Sequence, residues 1–306
     1  MSYSGPEFDP SRQRRFRRAP LAVGLAALVP GALLGWVVYE GVGKPGGSAR
    51  ASAAGQARTG TPKSAPVSPG DDAKVPSPDA ARPLQGKVVV IDPGHNPGNF
   101  RHTSEINQKV NIGTNFKECD TTGTSTNAGY SEARFTLDVA HRLRTLLERQ
   151  GATVKLTHDG DQPAWGPCVT RRAEIGNAAH ADAAISIHAD GAPEGDRGFH
   201  VILPASVHSG AADTRPIVAS SRALGERVER DFAKVTGSAP ANYVGGGTGL
   251  DVRKDLGGLN LSTVPKVFIE CGNMRDSSDA ALLTSGAWRQ KAAQGISEGI
   301  VGFLRG

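Results

Sequence analysis

From Gly86 onward, short continuous apolar runs alternate with stretches in which apolar residues recur every three or four positions. The first pattern predicts buried strands and the second amphipathic helices. The run GKVVVIDPGH, residues 86–95, is apolar and ends in Pro-Gly, as a strand buried on both faces should. Residues 131–150 read as a helix: Phe135, Val139, Leu143 and the Leu146/Leu147 pair share one face, Ser131 is placed to cap the start, and Gly151 is a stop signal. ATVKLTH, ADAAISIHAD, GFHVIL and PKVFIECGN predict further strands, with helices around 171–179, 221–235 and 286–304. This alternation predicts a single α/β domain over residues 86–306, with a mainly parallel twisted sheet flanked by helices.

The chain before Gly86 follows a different pattern. Residues 12–18 read RQRRFRR, and residues 19–39 contain no charge. About 20 helical residues at roughly 1.5 Å each cover the ~30 Å hydrocarbon core of a bilayer, and Trp36 and Tyr39 fall where an interfacial aromatic belt would lie. Residues 1–18 are therefore expected to stay cytoplasmic, with residues 19–39 serving as a membrane anchor. A signal peptide cleaved in the small-residue stretch 48–54 is the alternative. Residues 41–85 hold 28 Gly, Ser, Pro or Ala among 45. Too little apolar surface is available there to offset ordering entropy, so residues 40–85 are expected to be a disordered linker.

Charge narrows the function classes. The net charge of +5 sits entirely before Gly86, because residues 86–306 hold 24 basic and 24 acidic residues. A globular part so balanced does not call for a nucleic-acid partner.

Candidate chemistry lies near strand ends. In open α/β sheets, functional groups gather at the carboxyl edge. His95 and His188 each close a predicted strand, and Glu132 opens the helix that follows the long loop. Two imidazoles and one carboxylate, with a fourth position left for water, match a catalytic zinc site. Taken singly, each histidine is as simply a surface or hydrogen-bonded residue, and Glu132 could merely favour the helix dipole. Glu270 ends the apolar strand VFIE, where a carboxylate is costly without a task; a solvent-exposed sheet end is the simpler alternative.

Taken together, IDPGH with His95, SEARF with Glu132, Arg172 through Asn177, SIHADG with His188 and VPKVFIECGN with Glu270 resemble the zinc-dependent N-acetylmuramoyl-L-alanine amidases of the type 3 catalytic family. GTSTNAGY, GPC, GLNLS and ECGNM look most like its mycobacterial and related actinobacterial members. The resemblance covers residues 86–304. It implies that His95, Glu132 and His188 ligate one Zn2+ and that Glu270 is the catalytic carboxylate. It also implies that the substrate is the amide between N-acetylmuramic acid and L-alanine in peptidoglycan or muropeptides. A monomer acting outside the cytoplasm, and facing the cell wall, is expected.

The same resemblance, together with an exported topology, pairs Cys119 with Cys168 and leaves Cys271 free. The sequence departs from the family in three ways. The loop 96–130 is long and forms either a flap partly covering the site or an extra surface hairpin. Cys271 follows the catalytic glutamate, and His158 stands where an arginine is common. Two other functions compete: a zinc carboxypeptidase, which needs arginines such as Arg172 and Arg253 to clamp a substrate carboxylate, and a non-catalytic wall-binding scaffold.

Overall fold

A computed structural model describes residues 82–306. The expected cytoplasmic segment, the anchor or signal and nearly all of the linker lie outside the described residues. Among the described residues, no helix is long and apolar enough to cross a membrane. The folded part begins slightly before Gly86: Leu84 is fully buried in the main core, and its amide donates to the Gln150 carbonyl at 2.9 Å.

The central sheet has six strands in the order β4-β1-β5-β10-β6-β9. These are β1 (Val88–Pro93), β4 (Thr153–Leu156), β5 (Ala183–Asp190), β6 (His200–Pro204), β9 (Leu250–Arg253) and β10 (Lys266–Asn273). β4, β1, β5 and β10 run parallel; β6 is antiparallel to β10, and β9 is parallel to β6. The strands β2 (Lys109–Asn111) and β3 (Phe116–Glu118) form a hairpin within the long loop, and β7 (His208–Ser209) and β8 (Ala212–Asp213) form a second one.

Five helices complete the domain, along with single helical turns at Thr103–Ile106 and Gly257–Asn260. They are α1 (Glu132–Arg149), α2 (Val169–Ala178), α3 (Val218–Thr236), α4 (Ser277–Thr284) and α5 (Gly286–Leu304). α3 ends on Gly237, whose φ of 73° is the left-handed conformation that glycine adopts most cheaply. α4 has no clear apolar stripe and starts because the Asp276 side chain accepts from the amides of Ser278 and Asp279.

Alternation along the strands decides where the site lies. Val89 and Ile91, Ile185 and Ile187, and Val267, Ile269 and Cys271 point into one large core with Phe135, Val139 and Leu143 of α1, Leu224 and Phe232 of α3 and Trp288 and Ile296 of α5. Their strand neighbours face the other way. Asp92, Ser186, His188, Lys266, Phe268 and Glu270 therefore share the opposite face, on the side where α2 packs on β1 and the Gly257–Asn260 turn packs on β10 and β6.

Candidate metal centre and catalytic site

The strand positions of the site residues correct one expectation. His188 and Glu270 are not terminal residues but lie on the sheet face two and three residues before the ends of β5 and β10, directly paired in register. A side chain at the very end of a strand would point past the sheet; here the period of two aims both across it.

His95 reaches the same place by a backbone turn. It follows β1 with φ of 63°, a conformation that costs a non-glycine residue strain and is kept only where neighbours enforce it. One of them is Arg172 of α2, whose Nη2 donates to the His95 carbonyl at 2.9 Å. Gly94, just before it, lies against His188: a Cβ at that position would sit 2.3 Å from the His188 ring.

Glu132 joins the two histidines. Its Oε1 is 3.0 Å from His95 Nε2 and 2.9 Å from His188 Nδ1, and the three candidate ligand atoms lie within 4.8 Å of one another. Oε1 also accepts from the Ala189 amide at 3.2 Å, and Oε2 from the Thr124 amide at 2.9 Å. Burial alone would raise the pKa of Glu132, but His95 and His188 outweigh it and hold the carboxyl well below the usual range. The remaining nitrogen of His95, Nδ1, meets the Thr121 carbonyl at 3.1 Å and the Thr121 hydroxyl at 3.0 Å. A proton on Nδ1 shared with that carbonyl leaves the Nε2 lone pair free for a metal. His188 is held flat against Phe268, with ring centroids 5.2 Å apart and planes 10° from parallel.

Glu270 stands beside this cluster without joining it. The residue is half-buried, yet its Oε2 is enclosed and has no hydrogen-bond partner. Burial first, then the charges of Glu132 and Asp190, push its pKa well above the ordinary value against the opposing pull of Arg253. A buried polar atom without a partner is costly and needs a reason; a reacting group in front of the sheet is one.

Behind the site lies a buried ionic network. Arg172 Nη1 is 2.8 Å from Asp92 Oδ1, and Nη2 is 2.8 Å from Asp120 Oδ2. Asp92 also takes Lys266 Nζ at 3.1 Å, the Thr157 hydroxyl at 2.7 Å and the Ser186 hydroxyl at 2.9 Å. Arg172 further donates to the carbonyls of Pro93 and Pro167. It is therefore spent on internal partners and is no clamp for a substrate carboxylate. Arg253 lines the site cavity but is forked onto Asp255 at 2.8 and 2.7 Å. His158 Nε2 donates to the Pro93 carbonyl, 2.9 Å away, in the same buried layer, and Asn177 ties α2 to Leu261 and Thr263.

The long loop is both hairpin and wall. Cys119 and Cys168 form a disulfide with Cα atoms 4.3 Å apart, fixing the end of β3 to the start of α2, while Cys271 is a buried free thiol. Lys117 Nζ reaches Asp255 Oδ2 at 3.1 Å. Together with Leu256 and Phe268, Lys117, Glu118, Asp120 and Thr121 of this loop border a cavity of about 250 Å³ next to His95 and His188. The segment thus borders the site rather than lying apart from it.

Residues 89–301 match the family described as N-acetylmuramoyl-L-alanine amidase. The chain belongs to that family. An N-acetylmuramoyl-L-alanine amidase of Mycobacterium tuberculosis is 40% identical over 222 residues, covering 72% of this chain and 88% of its own length. Among solved structures, the amidase Ami1 of Mycobacterium smegmatis superimposes with a TM-score of 0.65 at 39% identity, over 72% of this chain and 98% of its own. The apo form of Ami1 from Mycobacterium abscessus gives a TM-score of 0.65 at 40% identity, over 72% and 100%. The family match thus spans the sheet, the long loop and every candidate site residue.

Sequence reasoning missed most of the supporting shell. Thr121, Thr124 and Asp120 touch the ligand residues or their anchor, yet they lie in a loop with no periodicity to read. The TTGT run around the loop's return to α1 was the only local signal.

Proposed function

We propose that this protein is a zinc-dependent N-acetylmuramoyl-L-alanine amidase that hydrolyses the amide between the lactyl group of N-acetylmuramic acid and the L-alanine of the peptide stem. The observation carrying this reading is the convergence of His95, Glu132 and His188 donor atoms within 4.8 Å, with the enclosed, unpartnered Glu270 oxygen beside them. Two imidazole nitrogens and one carboxylate oxygen suit zinc in a centre that keeps a position for a reactant. Zinc bound there would supply Lewis acidity toward the amide carbonyl and a lowered pKa for water.

The chain's own residues account for the rest. Glu270 takes a proton from the attacking water and delivers it to the departing alanine nitrogen, so that an amine leaves instead of an amide anion. The elevated proton affinity of its carboxyl favours the first of these transfers. Thr121 keeps the His95 ring in one tautomer, and the Ala189 and Thr124 amides orient Glu132. A carboxypeptidase reading lacks its clamp, because Arg172 and Arg253 are already paired internally. A silent scaffold has no use for a buried unpaired carboxylate.

In the same reading the catalytic domain, a monomer, acts on the wall side: either residues 1–18 stay in the cytoplasm, residues 19–39 cross the membrane and the residues that follow tether the domain, or the N-terminal segment is a signal that is cleaved and the domain is released.

The test is muropeptide digestion followed by mass spectrometry of the products. Wild type should release intact stem peptide with a free L-alanine amine. Glu270→Gln should keep its zinc and its unfolding midpoint while turnover drops by about 10² to 10⁴-fold. A folded, zinc-loaded variant with wild-type turnover would remove Glu270 from the mechanism.

A further inference from the structure

A second, wider groove of about 850 Å³ opens next to the metal-ligand cluster. Thr124 and Gly191 belong both to this groove and to the smaller cavity that holds Glu132, His188 and Glu270, so the one leads into the other. The Thr124 amide that borders the groove is the same one that donates to Glu132.

Charge sets this groove apart. Arg101, Arg134 and Arg275 line it and no Asp or Glu does. All three arginines are exposed, and among the described residues none is ion-paired, whereas Arg142, Arg172, Arg215, Arg253 and Arg289 each sit on a carboxylate. Two of the three are held in place without being neutralised. Arg275 Nη1 donates to the Ser125 carbonyl at 3.2 Å, and the Arg101 guanidinium lies 4.9 Å from the ring centre of Phe100, which is 64% exposed. The cavity on the other side of His95 and His188 carries both signs, Lys117 against Glu118 and Asp255, and an apolar wall of Leu256 and Phe268.

The scissile amide of the proposed substrate divides two chemically different halves. One is a sugar whose lactyl carboxyl is already consumed in the amide, leaving hydroxyl and acetamido groups. The other is a peptide bearing free carboxylates. A cationic groove without acids favours the second half and gains nothing from the first.

We infer that this groove holds the peptide on the amine side of the cut bond, with Arg101, Arg134 and Arg275 recognising its carboxylates. The enzyme therefore selects stems with free carboxyls over stems whose carboxyls are amidated. The inference rests on the amidase reading and extends it to stem specificity.

The experiment is steady-state cleavage of two muropeptides that differ only in whether the stem carboxyls are free or amidated. Wild type is compared with Arg134→Gln, Arg275→Gln, the double variant and Arg275→Lys, with zinc content and unfolding midpoint recorded for each. Wild type should show the lower KM on the free-carboxyl stem. Each glutamine variant should raise that KM roughly three- to fivefold, and the double variant roughly tenfold or more, the scale of exposed ion pairs. The loss should fall mainly on KM rather than kcat and mainly on the free-carboxyl stem, Arg275→Lys should recover much of it, and added salt should erode the wild-type preference. Equal wild-type KM on both stems, or a double variant impaired equally on both, overturns the groove assignment while leaving the amidase reading intact. Failure of folded, zinc-loaded wild type to cleave either stem overturns both.

Discussion

Replacing Arg172 by methionine should cost the domain much of its stability, because it removes a cation from a buried network while leaving two buried anions behind. The guanidinium is 4% exposed and lies 2.8 Å from both Asp92 and Asp120, whose side chains are 2% and 6% exposed. Breaking a buried pair by deleting one partner costs about 3 to 5 kcal/mol, against a typical total of about 5 to 15 kcal/mol. Asp92 keeps Lys266, Thr157 and Ser186, which places the expected loss near the lower end, about 3 kcal/mol. For a domain of this size that corresponds to a fall in melting temperature of roughly 6 to 12 °C. Acid sensitivity should change with a defined sign. Burial would raise the pKa of Asp92, but Lys266 and Arg172 depress it far below the ordinary carboxylate value. Its contribution is therefore present above the unfolded pKa and lost as pH falls. Without Arg172 that depression shrinks, so acid unfolding should begin at higher pH. Denaturant melts of zinc-loaded and zinc-free protein between pH 3 and 7 measure both effects. The His95 carbonyl also loses its donor, so metal affinity should drop as well. A variant destabilised by less than about 1 kcal/mol, the scale of a surface pair, would refute the claim that this network organises the site.

Two further perturbations probe the same architecture. Gly94→Ala places a methyl in the His188 ring, so zinc affinity should fall about 10- to 100-fold, as for lost support around a ligand, with a stability cost of about 1 to 3 kcal/mol; isothermal titration with zinc reads it, and unchanged affinity would show that His188 is free to shift. Replacing Cys119 and Cys168 together by serine should lower stability by about 2 to 4 kcal/mol for a ring closed over 49 residues. Peptide mapping without reduction verifies the bridge in the parent protein, and an equal melting temperature in the double variant would count against its structural role.

Much of the sheet was readable because its strands are continuous apolar runs. β1, β5 and β10 fall within the predicted segments, and α5 coincides with the helix expected over 286–304. β9 was not readable: LDVR is short, mixed and only partly buried, and it becomes a strand because β6 offers it an edge. The strands β2 and β3 themselves hold no buried residue; the hairpin is held instead by the buried Ile112 of its turn, by Ile106 and Cys119 at its flanks and by the Lys117–Asp255 pair. His95, Glu132, His188 and Glu270 stood out as candidates because each adjoins an apolar run or a helix start, although His188 and Glu270 lie within β5 and β10 and not at their ends. Arg172 was visible as part of a spacing, but its task was not: an arginine buried among backbone carbonyls and an arginine waiting for a substrate look the same in a string of letters.

The bridge between Cys119 and Cys168 has a consequence for the enzyme's lifetime among proteases. Any backbone cut between those residues separates a fragment carrying His95 from one carrying His188 and Glu270, but the two stay covalently joined. The exposed turn at Asp161 to Ala164 lies within that ring. A nick there opens the chain without releasing either half, so both sides of the proposed centre remain attached to one molecule.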